Sequence, residues 1–221
     1  MRIAAVFTKE APVRFVSHLD VQRLFHRAFR RAKLPLAFSQ GFNPHPLVSF
    51  ATALSVGFTS RGEYMDVVLT EDIPIPKFVS RVNTALPEGV RIVEAFDLGE
   101  SRKSLTSAMK TASYSVKAVY DRPVDNDLIN KAVEELLSNE IVVMKKTKGG
   151  IKPTDIRPMV LSVDIVCTEG NLAEFNIKGV LSAEGGLNPE MLMTELNSRL
   201  GSESENDIER TEIELDRSLL S

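Results

Sequence analysis

Residues 14–58 read RFVSHLDVQRLFHRAFRRAKLPLAFSQGFNPHPLVSFATALSVGF, and their order gives a basic helix, a short strand, a loop of Gly, Asn, Pro and His, and a second strand. Ser17 opens the helix, and Asp20 three residues on completes a capping box in which Asp replaces the usual Glu. Through Lys33 the residues Val21, Leu24, Phe25, Ala28 and Ala32 follow helical spacing, with Leu19 and Phe29 widening the apolar stripe. The remaining faces are cationic: Arg23, Arg27, Arg30 and Arg31 fall on neighbouring turns, with His26 and Lys33 beside them. Leu34-Pro35 ends the helix, because proline disfavours α conformation in the residue before it. Leu36–Ser39 can extend briefly. The loop from Ser39 to Pro46 excludes helix and central strand, since Gly41 admits positive φ while Pro44 and Pro46 remove two amide donors and stiffen Asn43 and His45. All three histidines, His18, His26 and His45, lie in this stretch.

Working outward, residues 2–9 (RIAAVFTK) form an apolar, β-branched run that predicts a buried strand. Beyond the central stretch the pattern predicts strand to Leu54, a turn at Ser60-Arg61-Gly62, strand over 63–69, helix over 73–86 and strand over 90–96. The resulting β-α-β-β-α-β order is the ferredoxin-like unit. It fills residues 1–98. Residues 99–110 (GESRKSLTSAMK begins at 99) are polar and weakly patterned and predict a linker. From 111 to 221 strands and helices recur in a similar order with one extra strand, including a helix entered at Asn188-Pro189. The expected fold is therefore α+β, two ferredoxin-like units in tandem. No residue-level repeat links the halves.

Cys167 is the only cysteine, which excludes an intrachain disulfide, a cysteine-rich zinc site and a three-cysteine cluster cradle. Its apolar strand context predicts a core position. No apolar run approaches a membrane span and the start lacks a secretory signal pattern, so the expectation is a cytoplasmic protein. The net charge of −3 conceals an uneven distribution. Residues 1–50 carry eight Lys and Arg against two acids, whereas 201–221 carry seven acids against Arg210 and Arg217. The basic N-terminal part is suited to a polyanion.

A second basic stretch, KKTKGGIK, places Lys145, Lys146, Lys148 and Lys152 around Gly149-Gly150. An arginine helix face alone reads equally as a phosphate-binding surface and as a solvated face. Two such surfaces beside ferredoxin-like sheets favour RNA. Aromatic residues are sparse and no strand carries an RNA-recognition-motif signature, so stacking of bases on an open sheet is not expected. The histidines are not at metal-ligand spacing, and no cofactor or metal is expected. Neither glycine pair matches a phosphate-binding loop or a dinucleotide fingerprint.

The 14–58 stretch, its SQGFNPHP block above all, and KKTKGGIKPTDIRPMV in the second half resemble a bacterial family described as radical-SAM-linked, a domain of unknown function. Members of that family occur alone or joined to the C-terminus of a radical-SAM protein. The resemblance implies a stand-alone partner of such an enzyme, and it implies no reaction or catalytic residue. The paired arrangement is also similar to CRISPR repeat-processing endoribonucleases, from which this chain departs in lacking their glycine-rich C-terminal loop pattern.

The expected function is an RNA-binding or substrate-presenting accessory to a radical-SAM enzyme acting on tRNA or rRNA, not itself catalytic. Arg23, Arg27, Arg30, Arg31, Lys145, Lys146, Lys148 and Lys152 would neutralise phosphates, and Asn43 and His45 would contact bases or RNA shape. Two alternatives stand beside it: a metal-independent endoribonuclease with His45 or His26 as general acid and base, and a protein-interaction module docking on the radical-SAM partner.

Overall fold

In the computed structural model the described residues are 1–99, 101, 103–147 and 150–220, the side chains of 146 and 147 excepted. The chain is mixed α/β and divides into two compact units, Met1–Lys110 with Glu212–Ser221, and Thr111–Thr211.

In the first unit the apolar run at the start forms β1 (Arg2–Lys9), followed by α1 (His18–Arg31), β2 (Val48–Phe50), β3 (Thr59–Val68), α2 (Ile75–Ala85), β4 (Ile92–Asp97) and the short α3 (Leu105–Ala108). β1 pairs antiparallel with β3 on one side and β4 on the other, and β2 pairs antiparallel with β3, giving the order β4-β1-β3-β2. Ile3, Ala5 and Phe7 pack with Phe25 and Phe29 of α1 and Phe78 and Val82 of α2 in one buried core. Aromatic rings carry much of it. Phe7 and Phe25 meet edge to face at 4.7 Å, and Phe29 lies 5.7 Å from Phe25 and 6.5 Å from Phe78.

Helix α1 is fastened at both ends and α2 at its C-terminus. Ser17 Oγ accepts from the Asp20 amide at 3.2 Å, the forward half of the expected capping box, but the Asp20 carboxylate accepts from the Ser17 hydroxyl at 2.8 Å and not from its amide. At the far end Lys33 turns into the left-handed region with φ 50°. There the exposed carbonyls of Ala32 and Lys33 accept from Arg81 of α2, while Arg31 of α1 donates to Ala85 O at the end of α2. Each helix thus caps the other's C-terminus, where a cation also meets the negative end of the helix dipole.

The turn expected at Ser60-Arg61-Gly62 is instead the opening of β3. Phe7 pairs with Glu63 and Lys9 with Ser60, so the register shifts between them. The Gly62 amide donates to Ser60 Oγ at 3.2 Å. The Ser/Gly signal marks a bulge inside a strand. Within the polar 99–110 segment, Ser104 caps α3 by accepting from the Ser107 amide, and Leu105 and Ala108 are buried. The C-terminal residues return to this unit: the Asp216 amide donates to Ala108 O at 2.7 Å, Lys110 pairs with Asp216 at 2.8 Å, and Arg217 lies over Phe96.

The second unit comprises β5 (Met109–Tyr120, from Thr111 onward), α4 (Asn126–Ser138), β6 (Val142–Thr147), β7 (Gly150–Asp155), β8 (Val160–Glu169), β9 (Leu172–Ser182), β10 (Gly185–Gly186), α5 (Pro189–Leu200) and β11 (Ser204–Leu215, as far as Thr211). β9 lies antiparallel between β5 and β8. Asn188 caps α5 by accepting from the Glu190 amide, as the Asn-Pro entry predicts, and Gly201 ends the helix at φ 59°. A Cβ on Gly179 of β9 would lie 2.7 Å from Leu187 Cβ, so that close approach requires glycine.

Two strands here go beyond those expected, β7 and β10. β6 and β7 pair with each other as a separate two-stranded sheet, from Val142↔Asp155 to Thr147↔Gly150. Cys167 is exposed and not in the core. A register shift between Ile165 and Cys167 interrupts the alternation of β8 and turns the thiol side outward.

Candidate nucleic-acid interface

The apolar stripe of α1 settles its orientation, because burying Val21, Phe25, Ala28 and Phe29 leaves Arg23, Arg27, Arg30 and Arg31 exposed. The arginines are not equivalent. Arg23 pairs with Asp20 at 2.9 Å, and Arg31 is drawn to Ala85 O. Arg27 and Arg30 make no hydrogen bond or ion pair within contact distance among the described residues. The Asp20 carboxyl is held below its ordinary value by hydrogen bonds from Ser17 and Arg23, with Arg27 contributing through its charge.

The loop after the helix folds back on itself. Phe38 bridges to Pro46, the Ser39 amide donates to His45 O at 2.9 Å, and Leu47 N donates to Ala37 O at 2.8 Å. Ser39 Oγ accepts from the His45 amide at 3.1 Å and lies 2.8 Å from its Nδ1. His45 is therefore held at both backbone and ring. Gly41, at φ 126°, makes the reversal, and Phe42 next to it is fully exposed.

Helix and loop together border a cleft of about 320 Å³, lined by His26, Arg30, Leu34, Leu36, Phe38, Pro44 and Pro46. Burial lowers the pKa of His26 below 6.5, with the charges of Arg30 and His45 adding to the effect. At neutral pH its ring is uncharged and offers one donor and one acceptor. The structure thus brings His26, Arg30 and His45 to one place. Asn43 is exposed on the same loop.

The lysines of the other basic stretch lie in the second unit. Lys145 and Lys152 are directly opposed across β6 and β7. Lys146 lies in β6, and Lys148 and Gly149 lie outside the described residues.

One charged group in the first unit escaped the sequence reading. Lys9 and Glu63 are each 3% exposed, and Asp66 is 5% exposed and paired with Arg2 at 2.8 Å. Lys9 Nζ donates to Arg14 O at 2.7 Å and Phe58 O at 3.3 Å, tying down the segment that leads into α1. Burial lowers the Lys9 pKa, and the charge of Glu63 opposes that shift. A cavity of about 10 Å³, room for about one water, lies among Lys9, His18, Thr52, Glu63 and apolar neighbours. His18 meets Phe50 edge to face and lies 3.0 Å from Gln22, so it belongs to this packing, and burial lowers its pKa. A signal for Glu63 existed: it shares the two-residue period of Met65 and Val67, an acid on an apolar strand face.

Fold and site define a mixed α/β protein with an exposed arginine helix beside a rigid aromatic and histidine loop. The sequence matches over residues 2–189 a family described as an uncharacterised protein conserved in bacteria, DUF2344, and the chain belongs to that family. No curated protein matches it. Among solved structures it is similar to a Cbf5-Nop10-Gar1 complex, with a TM-score of 0.52 at 12% identity over 96% of this chain and 48% of that one. An H/ACA RNP bound to a substrate RNA containing 2'-deoxyuridine and an archaeal box H/ACA sRNP Nop10-Cbf5 complex each give 0.51 at 11% identity, over 96% of this chain and 47% of theirs. The likeness is one of fold. The chain spans about half the length of the chains it matches.

Proposed function

We propose that this protein is an RNA-binding or substrate-presenting accessory, acting in the cytoplasm on tRNA or rRNA beside a radical-SAM enzyme. The observation that carries the RNA reading is the cleft of about 320 Å³ in which Arg30 and His26 of the helix meet Phe38, Pro44 and Pro46 of the loop. The Arg30 guanidinium suits a phosphate, and the side chains of Phe38, Pro44 and Pro46 suit a base. The fold likeness to chains of H/ACA particles, one of them bound to RNA, lends support. The radical-SAM partner rests on the sequence resemblance. We also read the two units as tandem ferredoxin-like domains. The order β4-β1-β3-β2 in the first and the antiparallel β5-β9-β8 arrangement in the second support that reading.

The test is recovery and sequencing of nucleic acid copurifying with the protein from its own host, for wild type and for Arg27→Glu/Arg30→Glu. Enrichment of one RNA class that disappears in the variant supports the reading. Affinity for that RNA should fall with salt, by a slope of about 0.7 per single-strand phosphate neutralised. No RNA, with a protein partner recovered instead, makes the basic face a docking surface.

One observation favours a second reading, endoribonuclease activity. His26 and His45 are close enough for the charge of one to act on the other, and Ser39 orients the His45 ring. A His45→Ala protein that binds the RNA unchanged but no longer cleaves it would select this reading.

A further inference from the structure

Resting on the RNA reading above, we infer that the cleft takes an unpaired nucleotide from a single-stranded segment, its base against Phe38, Pro44 and Pro46 and its phosphate on Arg30, with the adjoining base stacked on Phe42. The lining decides between single strand and duplex. Five of the seven lining residues, Leu34, Leu36, Phe38, Pro44 and Pro46, are apolar. A duplex approaching this surface would offer phosphates and sugars, which satisfy Arg27 and Arg30 but leave Phe38, Pro44 and Pro46 uncovered. An extruded base offers a π face, which covers it. The volume agrees: about 320 Å³ is at the lower end of ligand pockets, which run from about 300 to 1,000 Å³.

Phe42 supplies the second argument. It stands at the loop tip beside Gly41, where even an added Cβ on the glycine would meet nothing within 4 Å, and it packs on no core residue. Such a ring is a stacking platform of the kind single-strand binders use, tolerant of sequence because every base has a π face. The loop presenting it is already rigid, held by the Phe38–Pro46 bridge, the Ser39–His45 bonds and two prolines. Little ordering entropy is lost on binding. Arg27 and Arg30, separated by one helical turn, run alongside to follow the backbone.

The experiment measures binding of the full chain to poly(U), poly(A) and the poly(A)·poly(U) duplex at one salt concentration, for wild type, Phe42→Ala and Arg27→Glu/Arg30→Glu. The expected result is single-strand affinity about tenfold or more above that of the duplex, and a loss of about 5- to 150-fold in single-strand affinity for Phe42→Ala with duplex affinity unchanged. Because Phe42 is fully exposed, its removal leaves the fold intact. Equal affinity for single strand and duplex, with Phe42→Ala neutral and the arginine variant inactive on both, overturns the inference while RNA binding stands. Absence of binding to all three polymers, together with no copurifying RNA, overturns both.

Discussion

Helix α1 and the β6–β7 ribbon look alike in sequence, each a run of cations interleaved with apolar residues, yet they stand on opposite physical footings. The helix is backed by a core: Phe25 and Phe29 are fully buried and both helix ends are capped. The ribbon is backed only at its base, where Val143 is buried; further out Met144 is 62% and Ile151 66% exposed. Lys145 also faces Lys152 across it, where like charges directly opposed are unfavourable. An isolated two-stranded ribbon is marginal in water. A count of cations therefore does not rank binding surfaces. A cation on a braced scaffold holds its geometry before the ligand arrives, and one on an unbraced ribbon does not.

Truncating apolar side chains in each element separates a braced surface from an unbraced one. Phe25→Ala should lower stability by about 3–5 kcal/mol, read as a shift in the urea midpoint. Removing the α1 cap with Ser17→Ala should cost about 1 kcal/mol, again by urea titration. Met144→Thr and Ile151→Thr should each stay within about 0.5 kcal/mol of wild type. Ribbon variants as damaging as Phe25→Ala would mean that the ribbon is braced after all.

The smallest effect concerns pH. His18 and His26 both have folded pKa values below 6.5, chiefly through burial. Between the folded and unfolded values the unfolded chain binds more protons, so stability rises with pH across that window and is lost as pH falls below about 6.5. Urea midpoints at pH 7.5 and 5.5 should therefore differ more in wild type than in His26→Gln. An equal shift in both would show that His26 contributes nothing to it.

Much of the first unit was legible in sequence because its signals are local. The Ser17–Asp20 box, the apolar stripe to Phe29 and the Leu34-Pro35 stop define α1 without reference to anything distant. What could not be read depends on long-range pairing. β7 contains Pro153 and a single aliphatic side chain, Ile151, with no alternation to mark it, and becomes a strand through its pairing with β6. Cys167 faces outward because of a register shift set by β9. In the site, the candidates His26, Arg30 and His45 were visible as residue types. Their convergence depends on the Phe38–Pro46 bridge, which no spacing rule supplies. Arg31 reads as a phosphate ligand until its bond to Ala85, 54 residues away, is seen.

The division of the chain has a consequence for its synthesis. The second unit is one continuous segment, Thr111–Thr211, whereas the first needs Glu212–Ser221 to be complete. On a ribosome adding about 5–20 residues per second, all of Thr111–Thr211 is synthesised before the segment that its host needs to close. The contacts that Asp216 makes with Ala108 and Lys110 are thus among the last to form. A chain ending at Thr211 and released from the ribosome would carry a complete guest inside an incomplete host.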